Sequence, residues 1–188
     1  MLFGTLAVLA VAPVLAQSNN AINIIGTVDK VDATSISLKN DGAGTVESFK
    51  LAPDYLVLQN RAATLADIKP NDFVASAART GADGKLHSTE LRIFPDVMRG
   101  VGEGQRPMND GQGRTMTNAT VTGTAIVEGS NDIKVKFAGG ESELIVDPGV
   151  PVTRIDTADK SLLKDGVKVR AQGVRNADGA SISRITVQ

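Results

Sequence analysis

Six short marks occur in one order in the first half of the chain and recur in that order in the second. Gly26-Thr27-Val28 answers to Gly123-Thr124-Ala125, and Ile36-Ser37-Leu38 to Ile133-Lys134-Val135. Pro53-Asp54-Tyr55-Leu56-Val57 returns as Pro148-Gly149-Val150-Pro151-Val152, and Ile68-Lys69-Pro70-Asn71 as Leu163-Lys164-Asp165-Gly166. Ala82-Asp83-Gly84 recurs as Ala177-Asp178-Gly179, then Leu91-Arg92-Ile93 as Ile185-Thr186-Val187. Each match alone is trivial. Their fixed order at a spacing of roughly 95 residues marks a duplicated unit, so the chain has to fold as two related halves.

Within each copy the pattern is that of strands. Ser35-Ile36-Ser37-Leu38-Lys39 and Thr89-Glu90-Leu91-Arg92-Ile93 alternate polar and apolar residues, which puts one face on a core and the other in water. Between such runs stand Asn40-Asp41-Gly42, Asp83-Gly84, Gly139-Gly140, Asp165-Gly166 and Asp178-Gly179. Gly accepts positive φ and Asp bonds its own backbone, so these are turn sequences. One segment departs from the alternation. Thr64-Leu65-Ala66-Asp67-Ile68 has a capping Thr with an acid three residues on, and its counterpart is Lys160-Ser161-Leu162-Leu163. A helical turn between the third and fourth strands of a five-strand set is the layout of an OB-type barrel. The expected fold is all-β, two tandem OB-like barrels of five to six strands, each with one short helical turn. The expected divisions are a leader over 1–16, repeat 1 over 22–93, a linker over 94–118 and repeat 2 over 119–188.

With these marks in hand, each copy resembles the short exported bacterial repeat known as domain of unknown function 5666. The resemblance rests on an opening G-T-V, an I-x-L strand, an L-x-x-I/L turn followed by Lys, and a closing A-D-G hairpin, over about 26–93 and 123–187. It implies an OB-like barrel in the cell envelope and no particular activity.

The address points the same way. Residues 1–16 carry no charged side chain, and Val14 and Ala16 are the small residues expected before a cut at Gln17. The run is too short to span a bilayer as a helix, and no later stretch is long and apolar enough. Export to a bacterial periplasm also suits a chain without Cys.

Composition removes whole classes of chemistry. No Cys means no thiolate metal site and no cysteine nucleophile, and one His excludes multi-His zinc centres. A formal net charge of -1, five Phe, one Tyr and no Trp argue against nucleic acid, which needs a basic groove with aromatic platforms. A serine triad would need His87 with Ser76 or Ser88 and Asp83, but Ser88 adjoins His87 and points to the opposite face of a strand. No catalytic residue, cofactor or metal site is expected. The expected partner is an envelope protein, which makes the chain a non-catalytic binding or adaptor protein.

The alternative is a small anion, a carboxylate or phosphate, held by the linker. That segment, Met98-Arg99-Gly100-Val101-Gly102-Glu103-Gly104-Gln105-Arg106-Pro107 through Arg114, combines Gly-rich backbone with Arg. Successive N–H groups and a bidentate guanidinium suit an anion, so Arg99, Glu103, Arg106 and Arg114 are the candidate site residues. The competing reading is a tether whose arginines pair with Asp96, Glu103 or Asp110. A third reading, a carboxylate-based hydrolase, has no pair of acids in apolar surroundings to support it.

Overall fold

The computed structural model describes residues 20–127 and 130–188; the leader expected over 1–16 lies outside the described residues. The strands of the first half are β1 (Ala21–Val31), β2 (Ser35–Asn40), β3 (Val46–Ala63), β4 (Phe73–Thr80) and β5 (Leu86–Phe94). The linker adds β6 (Gly104–Pro107). The second half gives β7 (Thr115–Val127), β8 (Ser130–Phe137), β9 (Gly140–Val146), β10 (Val152–Thr157), β11 (Lys168–Asn176) and β12 (Gly179–Val187). The protein is all-β, as its alternation and turn sequences imply. The two expected helical turns are single 3-10 turns, Leu65–Asp67 and Lys160–Leu162. At the first, the Asp67 carboxylate accepts from the Thr64 N–H at 2.8 Å and the Thr64 hydroxyl at 2.9 Å. Those bonds, the backbone one foremost, hold the Asp67 carboxyl below its ordinary range.

The strand order shows how the copies combine. β1, β2 and β3 pair in sequence, β11 pairs β1, and β12 pairs both β11 and β3, closing a five-stranded barrel. Three of its staves come from the first copy and two from the second. The expectation that each copy closes its own barrel therefore gives way: strands four and five of the closed barrel belong to the other half. In the remaining set, β4 pairs β7, followed by β8 and β9, and β5 meets β9 in parallel at Leu86↔Leu144 and His87↔Ile145. Here the exchange runs the opposite way.

The cores repeat this exchange. One cluster gathers Val28, Ile36, Leu38 and Phe49 with Ile182 and Ile185; the other gathers Val74, Leu91 and Ile93 with Val121, Ile133 and Leu144. The physical reason lies in β3. Its 18 residues extend for roughly 60 Å at a rise of about 3.3 Å each. After Pro53 the strand runs on, and Leu58 to Ala63 pair with β10. One 3-10 turn cannot carry the chain back over that length, so β4 and β5 complete the neighbouring set instead. In the second copy the matching strand is interrupted at Asp147-Pro148-Gly149-Val150-Pro151, where proline supplies no ladder donor and Gly149 takes φ +88°. β3 and β10 cross antiparallel with Asn60 opposite Ile155, which occupy matching places in the two copies. The halves thus meet antiparallel through β3 and β10.

One sequence correspondence needs adjusting. Val28 exchanges backbone bonds with the segment before β11 (Val28 N–H to Val167 O, 2.9 Å; Gly166 N–H to Val28 O, 2.8 Å). Val121 makes the same pair of bonds with the segment before β4 (to Asp72 O, 2.8 Å; from Asn71 N–H, 2.9 Å). Ala119-Thr120-Val121, not Gly123-Thr124-Ala125, is therefore the structural counterpart of Gly26-Thr27-Val28. Each is followed by a bulge, between Val28 and Lys30 and between Val121 and Gly123.

Candidate functional site

Along the seam between the halves, β11 and β12 turn a polar patch outward. Arg170 and Gln172 lie two apart on β11 and so share a face, opposite Thr186 and Arg184 of β12. Across the pairing of β3 with β10, β4 and β5 present Ala75 opposite Arg92 and Ala77 opposite Glu90. Glu90 and Arg92 of β5 and the β11–β12 patch border one cleft of about 470 Å³, while Ala75 and Ala77 line a smaller chamber beside it. The floor of the cleft is a small buried cluster, Leu58 of β3, Ile155 of β10 and Met98 of the linker, against which Phe94 and Val101 pack. The asymmetry is a charge difference: where the first copy has Ala75 and Glu90, the second has Arg170 and Arg184.

The cations of this cleft are under-satisfied. Arg92 donates to Glu90 at 3.3 Å. Arg184 reaches Gln172 Oε1, and Arg170 reaches Asn23 Oδ1, each only at 3.5 Å. The Nε of Arg184 is buried without a hydrogen-bond partner. Among the described residues no carboxylate lies within ion-pair distance of Arg170 or Arg184. An unpaired buried donor is costly, and among the described residues Arg170 and Arg184 have no acidic partner that would offset it.

A smaller chamber of about 140 Å³ shares Glu90, Arg92 and Phe94 with the cleft and adds Arg106, Met116 and Asn118. The side-chain amide of Asn118 donates to Val101 O at 3.0 Å, which ties the linker down, while its Oδ1 is buried without a partner.

The four linker residues singled out from sequence are not gathered around one point. Arg99 donates to Asp96 at 2.7 Å and to Asn71 O at 2.8 Å. Arg106 donates to Gly102 O at 2.8 Å, and Arg114 to Asp110 at 2.6 Å. Glu103 accepts from the Ala138 N–H at 3.0 Å. Each has its own local partner, and of the four only Arg106 borders a chamber described here. The sheet arginines Arg92, Arg170 and Arg184 escape notice in the sequence because each reads as an ordinary outward strand position. The available signal is the pair Arg170-x-Gln172 standing where the first copy has Ala75-x-Ala77.

Two other polar groupings have structural work. Ser76 and Ser88 are buried and hydrogen-bonded to each other at 2.8 Å, so neither hydroxyl faces His87. His87 bridges two carboxylates, Asp147 at 2.8 Å through Nδ1 and Asp83 at 3.2 Å through Nε2. It stands where β5 meets β9, and the bond to Asp147, then that to Asp83, raise its pKa above the ordinary imidazole value. A raised folded-state pKa means stabilisation that is complete below the unfolded value and lost as pH climbs through the folded one. Denaturant melts are therefore expected to show stability falling as pH rises above about 6.5, by about 0.5 kcal/mol for so exposed a group. H87Q should remove that step.

Among the described residues no group of three or more His, Cys, Asp or Glu could hold a metal ion, and no helix is long and apolar enough to cross a membrane. Comparison with known proteins found no match among protein-family profiles, curated proteins or solved structures.

Proposed function

We propose that this chain is an exported, non-catalytic binding protein of the bacterial cell envelope, and that it holds an organic anion in the seam cleft. The observation that carries this reading is the convergence of Arg92, Arg170 and Arg184 on one cleft, with the Arg184 Nε buried and unpaired. Three guanidiniums there face one side-chain carboxylate, Glu90. Guanidinium forks match carboxylate and phosphate oxygens bidentately. The ligand class is that of the linker reading, with the binding residues moved from the linker to the sheet.

The architecture within this reading is a pair of OB-like barrels with exchanged strands. The order β1-β2-β3-β12-β11, with β3 and β12 parallel, supports it, and β7-β8-β9-β5-β4, with β9 and β5 parallel, repeats that order. Export is supported by the uncharged leader, and kinship with the domain of unknown function 5666 repeats by the closing Ala-Asp-Gly hairpins.

Thermal-shift measurement with carboxylate and phosphate ligands tests the binding. A ligand at 100 times its Kd should stabilise the chain by about 2.7 kcal/mol. The R170A/R184A variant should lose that gain, while R106A and R114A keep it. A gain that disappears in R114A and survives in R170A/R184A would return the site to the linker.

A further inference from the structure

We infer that the ligand is amphipathic, a carboxylate carrying an alkyl or aryl body, and not a compact hydrophilic anion. This rests on the anion reading above and sharpens it. The cleft has two chemically distinct sides. Arg170 and Arg184 supply donors from β11 and β12, whereas Leu58, Ile155 and Met98 make an apolar floor where β3 crosses β10. A polyanion filling the cleft would press charge against that floor, and burying an unpaired charge on apolar surface is strongly unfavourable. An anion of a few atoms would leave most of the 470 Å³ unfilled, a volume inside the roughly 300–1,000 Å³ range of small-molecule pockets. A single carboxylate with an apolar body meets both sides. Its oxygens meet the guanidiniums of Arg170 and Arg184 that line the cleft.

The linker is suited to such a body. Met98 and Met108 both border the cleft, and unbranched thioethers repack around apolar groups of differing shape. Arg106 of the linker and Met116 of β7 border the smaller chamber with Ala75 and Ala77, whereas Arg170 and Arg184 line the larger cleft. The head of the ligand therefore belongs at β11 and β12, and its body between the floor and the linker.

Calorimetric titration of the full chain with acetate, hexanoate, octanoate, decanoate, phosphate and citrate tests this. A fully buried methylene contributes about 0.8 kcal/mol, so affinity should rise about two- to fourfold per added methylene in this partly open cleft. Octanamide should bind at least about tenfold more weakly than octanoate, because it lacks the charge that the arginines recognise. M108Q, a change on the linker wall, should flatten the chain-length slope while R170A/R184A weakens every acid alike. Equal affinity for acetate and decanoate, or citrate or phosphate binding more tightly than octanoate, would overturn the amphipathic ligand while leaving the anion site standing. If no anion binds, or if R170A/R184A binds all of them as the parent chain does, the anion reading itself falls.

Discussion

A chain ending at Asp159 should lose the folded structure of β1, β2 and the first half of β3, although every residue of the first repeat is present in it. The closed barrel takes its last two staves, β11 and β12, from the end of the sequence. Without them its core loses Leu163, Val169, Ala171, Ile182 and Ile185 at once. Val28, Ile36 and Phe49 would then face water along two opened edges, and a three-stranded remnant has little apolar surface left to bury. The other cluster draws only on residues between Ile68 and Val152, all of which the shortened chain keeps. Hydrogen exchange should show protection retained in β4, β5 and β7 to β9 and lost in β1 and β2. If each copy closed alone, β1 to β5 would be protected and β7 to β9 exposed. The two outcomes agree at β4 and β5 and differ at β1, β2 and β7 to β9, which is where the measurement separates them.

The second large effect is expected from L144A. Leu144 is fully buried on β9, pairs with Ile133 of β8, and also stands opposite Leu86 where β5 meets β9. That meeting spans only two residue pairs, against six for β12 on β3. Cutting Leu to Ala removes buried methyl and methylene groups and leaves a cavity, which in packed cores costs about 2–5 kcal/mol. At a closure this short the neighbours can part instead of collapsing into the space, so a loss of about 3 kcal/mol or more is expected in urea unfolding. V97A on the exposed linker turn, 55% accessible, should stay within about 0.5 kcal/mol of the parent chain. An L144A loss no larger than that of V97A would mean that β5 and β9 do not form a working closure.

Much of the local structure is written in the sequence, and its long-range pairing is not. The alternation at Ser35 to Lys39 becomes β2, and Asp83-Gly84, Gly139-Gly140 and Asp178-Gly179 fall at the turns of β4–β5, β8–β9 and β11–β12, while Asp165-Gly166 leads from a 3-10 turn into β11. The Thr64 to Asp67 cap is present as well, although it starts only a 3-10 turn. What local pattern cannot state is which copy of β4 and β5 a given β3 will meet. The contacts inside a closed barrel and an exchanged one are nearly the same, so the hydrophobic faces are equally satisfied by both. The choice falls to the hinge, and the long unbroken β3 decides it. The glycine at position 123 misleads for a related reason: a Gly-Thr pair invites alignment with Gly26-Thr27, while the backbone ladder aligns Ala119-Thr120 there.

The candidate cleft is hidden by the same limitation. Gly-rich sequence draws attention to Arg99, Arg106 and Arg114, yet carbonyls and acids within a few residues, or on the adjoining loop, already engage them. Arg92 lies far along the chain from Arg170 and Arg184, which share the β11–β12 hairpin, and joins them only through the crossing of β3 and β10. Nothing in strand periodicity could bring them together.

The division of the closed barrel between the two ends of the chain sets the timetable on which this protein can mature. Its first three staves leave the ribosome well before their partners exist, and β1 waits for β11 across a separation of most of the sequence. Contacts so distant along the chain slow folding and prolong the exposure of unpaired strand edges. Synthesis must therefore carry a half-built sheet, and a holding chaperone that shields β1 to β3 until the final hairpin arrives would raise the yield more than any improvement in the stability of the finished fold.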